Sequence, residues 1–251
     1  ANNISFGTSN ISLIDLNADG LLDILEGQYI QAETWETSGF QAYLNHGSPI
    51  VFFDRPCFLS NCSNVSIDDY KASFEATEHL IELGHKRICF LTQEILDVTS
   101  RNERYQGYLA ALEKHNIPLD EALVQFWDRE TGFRQSPKSI LSMPDSPTAF
   151  FSQHFEITAN LLMELHQLEI NIPEEVSVIG FDKIPMTDLF KTPITTIEQD
   201  PYRVGTESAQ LLFDVISNKV ENSKKIVIPC TFIKRQSCLD INGASTKSTN
   251  T

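Results

Sequence analysis

The stretch PIVFFD, residues 49–54, decides the fold. Ile50, Val51, Phe52 and Phe53 follow one another without a polar break. An antiparallel strand with one wet face would alternate, so a continuous apolar run reads as a strand buried on both faces of a parallel sheet. The next segment, DDYKASFEATEHLIELG (68–84), places Phe74, Ala76, Leu80, Ile81 and Leu83 near helical spacing. Gly84 sits where a helix C-cap belongs. KRICFLT (86–92) is then a second buried strand.

The alternation continues to the end of the chain. SRNERYQGYLAALEKHN (100–116) reads as helix, TAFFS (148–152) as strand, EITANLLMELHQLE (156–169) as helix and EEVSVIGFD (174–182) as strand. DPYRVGTESAQLLFDVISN (200–218) is a long helix and KIVIPCTFIKR (225–235) a final extended segment. Helix and strand in turn over residues 49–237 predict a parallel α/β fold with right-handed crossovers. Residues 239–251 form the predicted disordered tail, ending in the small polar run GASTKSTNT.

The composition narrows the function classes. The chain has 251 residues, 41% of them hydrophobic, and a formal charge of −15. That charge argues against gripping a phosphate backbone, which needs clustered Lys and Arg. Nothing resembles an apolar run of about 18 residues that would span a bilayer, and no signal peptide is visible. Residues 1–48 carry six acids and no Lys or Arg. The five cysteines (57, 62, 89, 230 and 238) are odd in number and lack a C-x-x-C pair, as in a reduced cytoplasmic protein.

Ligand groups in open α/β sheets gather at the carboxyl ends of strands and at the helix starts that follow. Asp54 closes PIVFFD and Asp182 closes VSVIGFD. Arg104 begins ERYQGYLAAL, in which Gly107 allows close packing. Two carboxylates that accept from hydroxyls and one guanidinium that donates in a fixed fork suit a polyhydroxylated ligand. No G-x-S-x-G, phosphate-cradling Gly loop or Cys/His pair suggests catalysis, and no enzyme activity is expected.

Several segments in order carry a resemblance: PIVFFDRP (49–56), VSIDDYKASFEATEHLIELGHKRICFL (65–91), SRNERYQGYLAALEKHNIP (100–118), IPEEVSVIGFD (172–182) and TPITTIEQDPYRVGTESAQLLFDVI (192–216). Residues 49–238 resemble the effector-binding domain of LacI/GalR-type transcription regulators, which have the two-lobed type I periplasmic-binding-protein fold. The resemblance implies two lobes closing on a sugar or related small molecule, a homodimer, no required cofactor and a cytoplasmic protein. It places the effector contacts on Arg104, Asp182 and Asp54. Gln199, with Asp200 beside it, falls at the last crossover, and Ser100 stands one turn before Arg104. His154 and Phe155 stand where the family has Asn-Asp, so that contact is altered or lost; either the imidazole and aromatic stack on a sugar ring or the Phe packs in the core, and Phe151 joins the candidates. The family's first strands and helices do not precede PIVFFD, which predicts an incomplete first lobe with an unpaired sheet edge. DNA contact is expected only through a headpiece that this chain does not carry.

Residues 1–48 read differently, as short β segments around IDLNADGLLDILEG (14–27). Asp15, Asn17, Asp19 and Asp23 have the spacing that wraps oxygen ligands around Ca²⁺. The flanks are strand-like, so the segment resembles one FG-GAP/VCBS blade rather than an EF-hand, with Leu21 giving its carbonyl. Such blades belong outside the cytoplasm, which sets this segment against the rest and reads as a graft, a truncated fusion or a gene-assembly artefact. Two other functions stay open on these grounds: a secreted solute-binding protein serving a transporter, and a calcium-dependent surface interaction protein.

Overall fold

A computed structural model describes residues 9–14, 23–28, 40–43, 50–54, 63–95, 98–217, 219 and 223–242. The chain divides into two compact units, Ala1–Ile50 and Val51–Thr251. In the first, β1 (Ser9–Ile14), β2 (Asp23–Gln28) and β3 (Phe40–Tyr43) form an antiparallel sheet in the order β1-β2-β3. The calcium-ligand candidates Asp15, Asn17, Asp19 and Leu21 lie outside the described residues, and Asp23 is known only as the first residue of β2.

The second unit is α/β. Its elements are β4 (Val51–Asp54), β5 (Ser63–Ile67), α1 (Asp69–Glu82), β6 (Ile88–Thr92), α2 (Thr99–Lys114), β7 (Val124–Asp128), β8 (Gly132–Phe133), α3 (Pro137–Leu141), β9 (Ala149–Ser152) and α4 (Phe155–Gln167). There follow β10 (Ser177–Phe181), β11 (Thr195–Glu198), α5 (Pro201–Ile216), β12 (Lys225–Ile228) and β13 (Thr231–Ile233). They build two sheets, β13-β11-β10-β9-β6-β7-β8 and β12-β5-β4. The large sheet is parallel from β11 to β7, with an antiparallel strand at each end. The small sheet is wholly parallel.

Strand pleating explains the core of the large sheet. Successive side chains point to opposite faces, so Phe90, Phe151, Ile179 and Phe181 pack with Ala76 and Leu80 of α1 and Tyr108 and Leu112 of α2. Cys89, Leu91, Phe150 and Val178 face the other way, onto Ile157, Leu161 and Leu165 of α4 and Ile140 of α3. Each fully buried Phe contributes roughly 1.5–3 kcal/mol relative to exposure. Helices α1 and α2 approach closely at Gly107, where a Cβ would lie 2.3 Å from the Tyr70 carbonyl oxygen. In the small sheet, Val65, Ile67 and Ile228 pack on Val204 and Leu211 of α5.

The chain passes between the sheets three times: from β5 into α1, from β11 into α5, and from β12 to β13 through Pro229–Cys230. These crossovers make the two-lobed periplasmic-binding-protein architecture, in which the β12 lobe has three strands among the described residues.

Three expectations need correction. The PIVFFD strand is not buried on both faces: among the described residues β4 pairs only with β5, and Phe53 is 61% exposed. Its apolar run reflects an edge whose second neighbour is absent among the described residues. KIVIPCTFIKR is two strands in different sheets, not one. Order also continues past 238: Leu239 accepts from the His85 ring, Ile241 N donates to Leu83 O, and Asn242 Nδ2 donates to Glu82 O. Residues 243–251 lie outside the described set.

Candidate functional site

Asp54 ends β4 in one sheet and Asp182 follows β10 in the other, and both line a single cavity of about 230 Å³. Their backbones share an uncommon conformation, φ +70° at Asp54 and +73° at Asp182. Left-handed φ is sparsely populated by residues other than Gly, and Asp tolerates it best when its position is fixed by surroundings. Gln199, just past β11, donates from Nε2 to Asp182 Oδ1. The Asp182 amide donates to Ile197 O at 2.8 Å, which holds this corner to β11.

Arg104 enters the same cavity from α2. Its Nε donates to Asp69 Oδ1 at 2.7 Å, with side chains 9% and 5% exposed. One terminal nitrogen, Nη1, donates to the Gln153 carbonyl, and the guanidinium carbon stands 3.6 Å from the centre of the Phe181 ring. This orientation uses all three kinds of arginine contact: ion pair, hydrogen bond and stacking. Burial pushes the Asp69 carboxyl above its ordinary range; Arg104 pulls it down, while Asp54 and Asp182 add to the rise.

Ser100 and Arg101 line the cavity from the start of α2, and His154 from the start of α4. Arg101 donates to Glu94 O at 2.8 Å and to Gln93 Oε1 at 2.6 Å. His154 caps α4 by accepting from Glu156 N at 3.3 Å. Burial holds its pKa below the usual imidazole value.

The structure therefore brings together Arg104, Asp182, Asp54, Gln199, Ser100 and His154. Phe151 does not join them. It is fully buried in the core against Phe90, because residue 151 points to the α1–α2 side of β9. Asp200 is also elsewhere, as the N-cap of α5, accepting from Arg203 N at 2.9 Å. The cap of α1 is Asp68, which frees Asp69 for Arg104.

Sequence reasoning missed Gln93, Val98, Arg101, Gln153 and Ile157 in the cavity wall. Gln93 and Gln153 follow buried strands directly, so the strand-end rule that found Asp182 finds them when applied to every strand. Arg101 is three residues before Arg104, hence on the same helix face. Asp69 gave no local signal, since its partner is 35 residues away. Among the described residues no group of three or more His, Cys, Asp or Glu is placed to hold a metal ion. Hydroxyl recognition by opposed donors and acceptors is what the cavity can do.

Residues 77–238 match the periplasmic binding protein-like domain family. The chain is 28% identical over 191 residues to the probable HTH-type transcriptional repressor ExuR of Bacillus subtilis, covering 75% of this chain and 57% of that protein. It is 33% identical over 176 residues to the HTH-type transcriptional repressor CytR of Escherichia coli, covering 69% and 51%. The crystal structure of a LacI family transcriptional regulator from Enterococcus faecium with bound ribose aligns with a TM-score of 0.65 and 26% identity, over 76% of this chain and 71% of that one. The chain thus belongs to the periplasmic binding protein-like domain family. Its α/β unit is an effector-binding domain of the LacI type. It spans little more than half the length of the two curated relatives.

Proposed function

We propose that the α/β unit senses a sugar or closely related polyhydroxylated small molecule for a transcriptional regulator. The observation that carries this reading is the convergence of Asp54, Arg104, Asp182 and Gln199 on one small cavity between two sheets. Asp54 and Asp182 accept from ligand hydroxyls, Gln199 orients Asp182, and Arg104 donates to a ligand oxygen while Asp69 balances its charge. Ser100 and His154 complete the polar wall. The ribose in the Enterococcus faecium regulator supports a sugar.

Binding draws the Asp54 lobe towards the Arg104 lobe, since each supplies part of the ligand's hydrogen bonds. The ligand then biases an equilibrium between open and closed forms by its differential affinity for them. In the whole regulator, a homodimer reports this change to DNA through a headpiece outside this chain, in the cytoplasm. The cavity binds its ligand without converting it and requires no cofactor. A Ca²⁺ ion at residues 15–23 rests on ligand spacing alone, and calcium calorimetry of wild type against Asp15→Ala tests it.

A thermal-shift screen with ribose, xylose, glucose, galactose and cellobiose tests the sensor reading. At least one sugar raises the melting temperature of wild type, and Asp182→Asn removes that rise. A screen in which no sugar shifts the wild type contradicts it.

A further inference from the structure

Gln153 is 2% exposed, yet it forms part of the cavity wall. Its backbone carbonyl is taken by Arg104 Nη1. Its side chain is oriented by a short hydrogen-bond chain. The Thr92 hydroxyl donates its single proton to Gln93 O at 2.7 Å. Thr92 Oγ1 therefore meets the Gln153 amide as an acceptor, and the atom facing it is Nε2, a donor. A flipped amide would set oxygen against oxygen with no proton between them. Gln153 Oε1 is thus fixed as a pure acceptor. It is buried and has no hydrogen-bond partner among the described residues.

A buried amide oxygen without a partner is costly, and such orphans in folded proteins call for a functional explanation. Here the orphan belongs to a cavity residue, and every other polar group of the same side chain and backbone carbonyl is already engaged. The sequence offers Gln153 no help as a structural cap, because His154 caps α4.

We infer that Gln153 is a specificity-determining residue of this cavity, whose Oε1 accepts a hydrogen bond from one hydroxyl of the bound sugar. The inference rests on the sensor reading above and adds a selection rule to it. A ligand lacking a hydroxyl at that point leaves the amide oxygen buried and unpaired, so the deoxy form is rejected. Because the acceptor is neutral, the discrimination does not depend on the charge state of Asp54, Asp69 or Asp182.

The test is a double-mutant cycle by calorimetry on the 251-residue chain, using ribose, xylose, glucose, galactose and the monodeoxy forms of whichever binds. Gln153→Met keeps the shape and removes the acceptor. It retains the unliganded melting temperature within a few degrees of wild type and binds the parent sugar at least tenfold more weakly. One monodeoxy sugar binds wild type at least tenfold more weakly than its parent, and Gln153→Met binds the two alike. Equal affinities of wild type and Gln153→Met for the parent sugar overturn the inference alone. If no sugar binds wild type, the sensor reading fails and takes this inference with it. A structure of wild type with the sugar decides the matter even if Gln153→Met does not fold. A hydroxyl within 3.2 Å of Gln153 Oε1 upholds the assignment, and no ligand oxygen within 3.5 Å refutes it.

Discussion

Asp54 and Asp182 end parallel strands of two different sheets, take the same left-handed backbone conformation and line the same cavity. The Asp182 carboxylate also accepts from Gln199 Nε2. A left-handed residue at a strand end is most cheaply Gly, so an aspartate at these two positions carries a backbone strain that glycine would not.

Stability and binding therefore separate at Asp54. Asp54→Gly leaves the melting temperature at or above the wild-type value, while Asp54→Val, β-branched at positive φ, lowers stability by about 1–3 kcal/mol. Both variants lose sugar affinity. Urea unfolding with calorimetry checks the pair, and an Asp54→Gly protein that binds like wild type removes Asp54 from the site.

The Arg104–Asp69 pair behaves oppositely. With both side chains buried, deleting either partner strands a charge and costs roughly 3–5 kcal/mol. Arg104→Ala therefore loses stability as well as binding. Replacing both together, Arg104→Met with Asp69→Leu, recovers most of the stability and none of the binding. Chemical denaturation of the two singles and the double measures this; additive losses would show that the pair is not coupled.

Gly107→Ala tests the helix contact. Its Cβ would come within 2.3 Å of a backbone oxygen and 2.9 Å of the Phe74 amide nitrogen, neither of which yields easily. Overpacking of this kind costs about 1–3 kcal/mol. A melting temperature equal to wild type would mean that α1 and α2 sit farther apart than described.

The pH dependence has a definite sign. His85 bonds Thr148 Oγ1 at 2.8 Å and Leu239 O at 3.1 Å, and burial holds its folded pKa below 6.5. A group with a depressed folded pKa that is neutral above it contributes its full stability above the unfolded value. It loses that stability as pH falls from 6.5 through the folded pKa. Burial depresses His79 as well. The urea midpoint therefore drops between pH 7.5 and 5.5, and His85→Gln flattens part of the drop. A drop that His85→Gln leaves undiminished contradicts the neutral assignment.

The sequence made the central strands legible because β6, β9 and β10 are apolar on both faces, and made α1, α2, α4 and α5 legible through spacing and caps. It missed β5, β7, β8, β11 and α3. SNVSI and VQFWD mix polar and apolar residues without a clean period, and PKSIL is too short to show one. The apolar run of β4 overstated its burial, since periodicity reports what a strand can cover and not whether a neighbour stands there. In the site, strand-end and helix-start positions gave Asp54, Asp182 and Arg104, and the family resemblance gave Gln199, Ser100 and His154. Phe151 failed because a residue inside a strand points to the core, whereas Gln153, just beyond the strand, reaches the cavity. Asp69 was invisible because its role depends on a fold-level approach of α1 to α2.

The most direct measurement is isothermal calorimetry of the wild-type chain and Asp182→Asn against the sugar set. This reading requires saturable binding of one sugar per chain by wild type, and a loss of at least tenfold in Asp182→Asn without unfolding. Undiminished affinity in Asp182→Asn, or no heat from any sugar with the folded wild type, would contradict it.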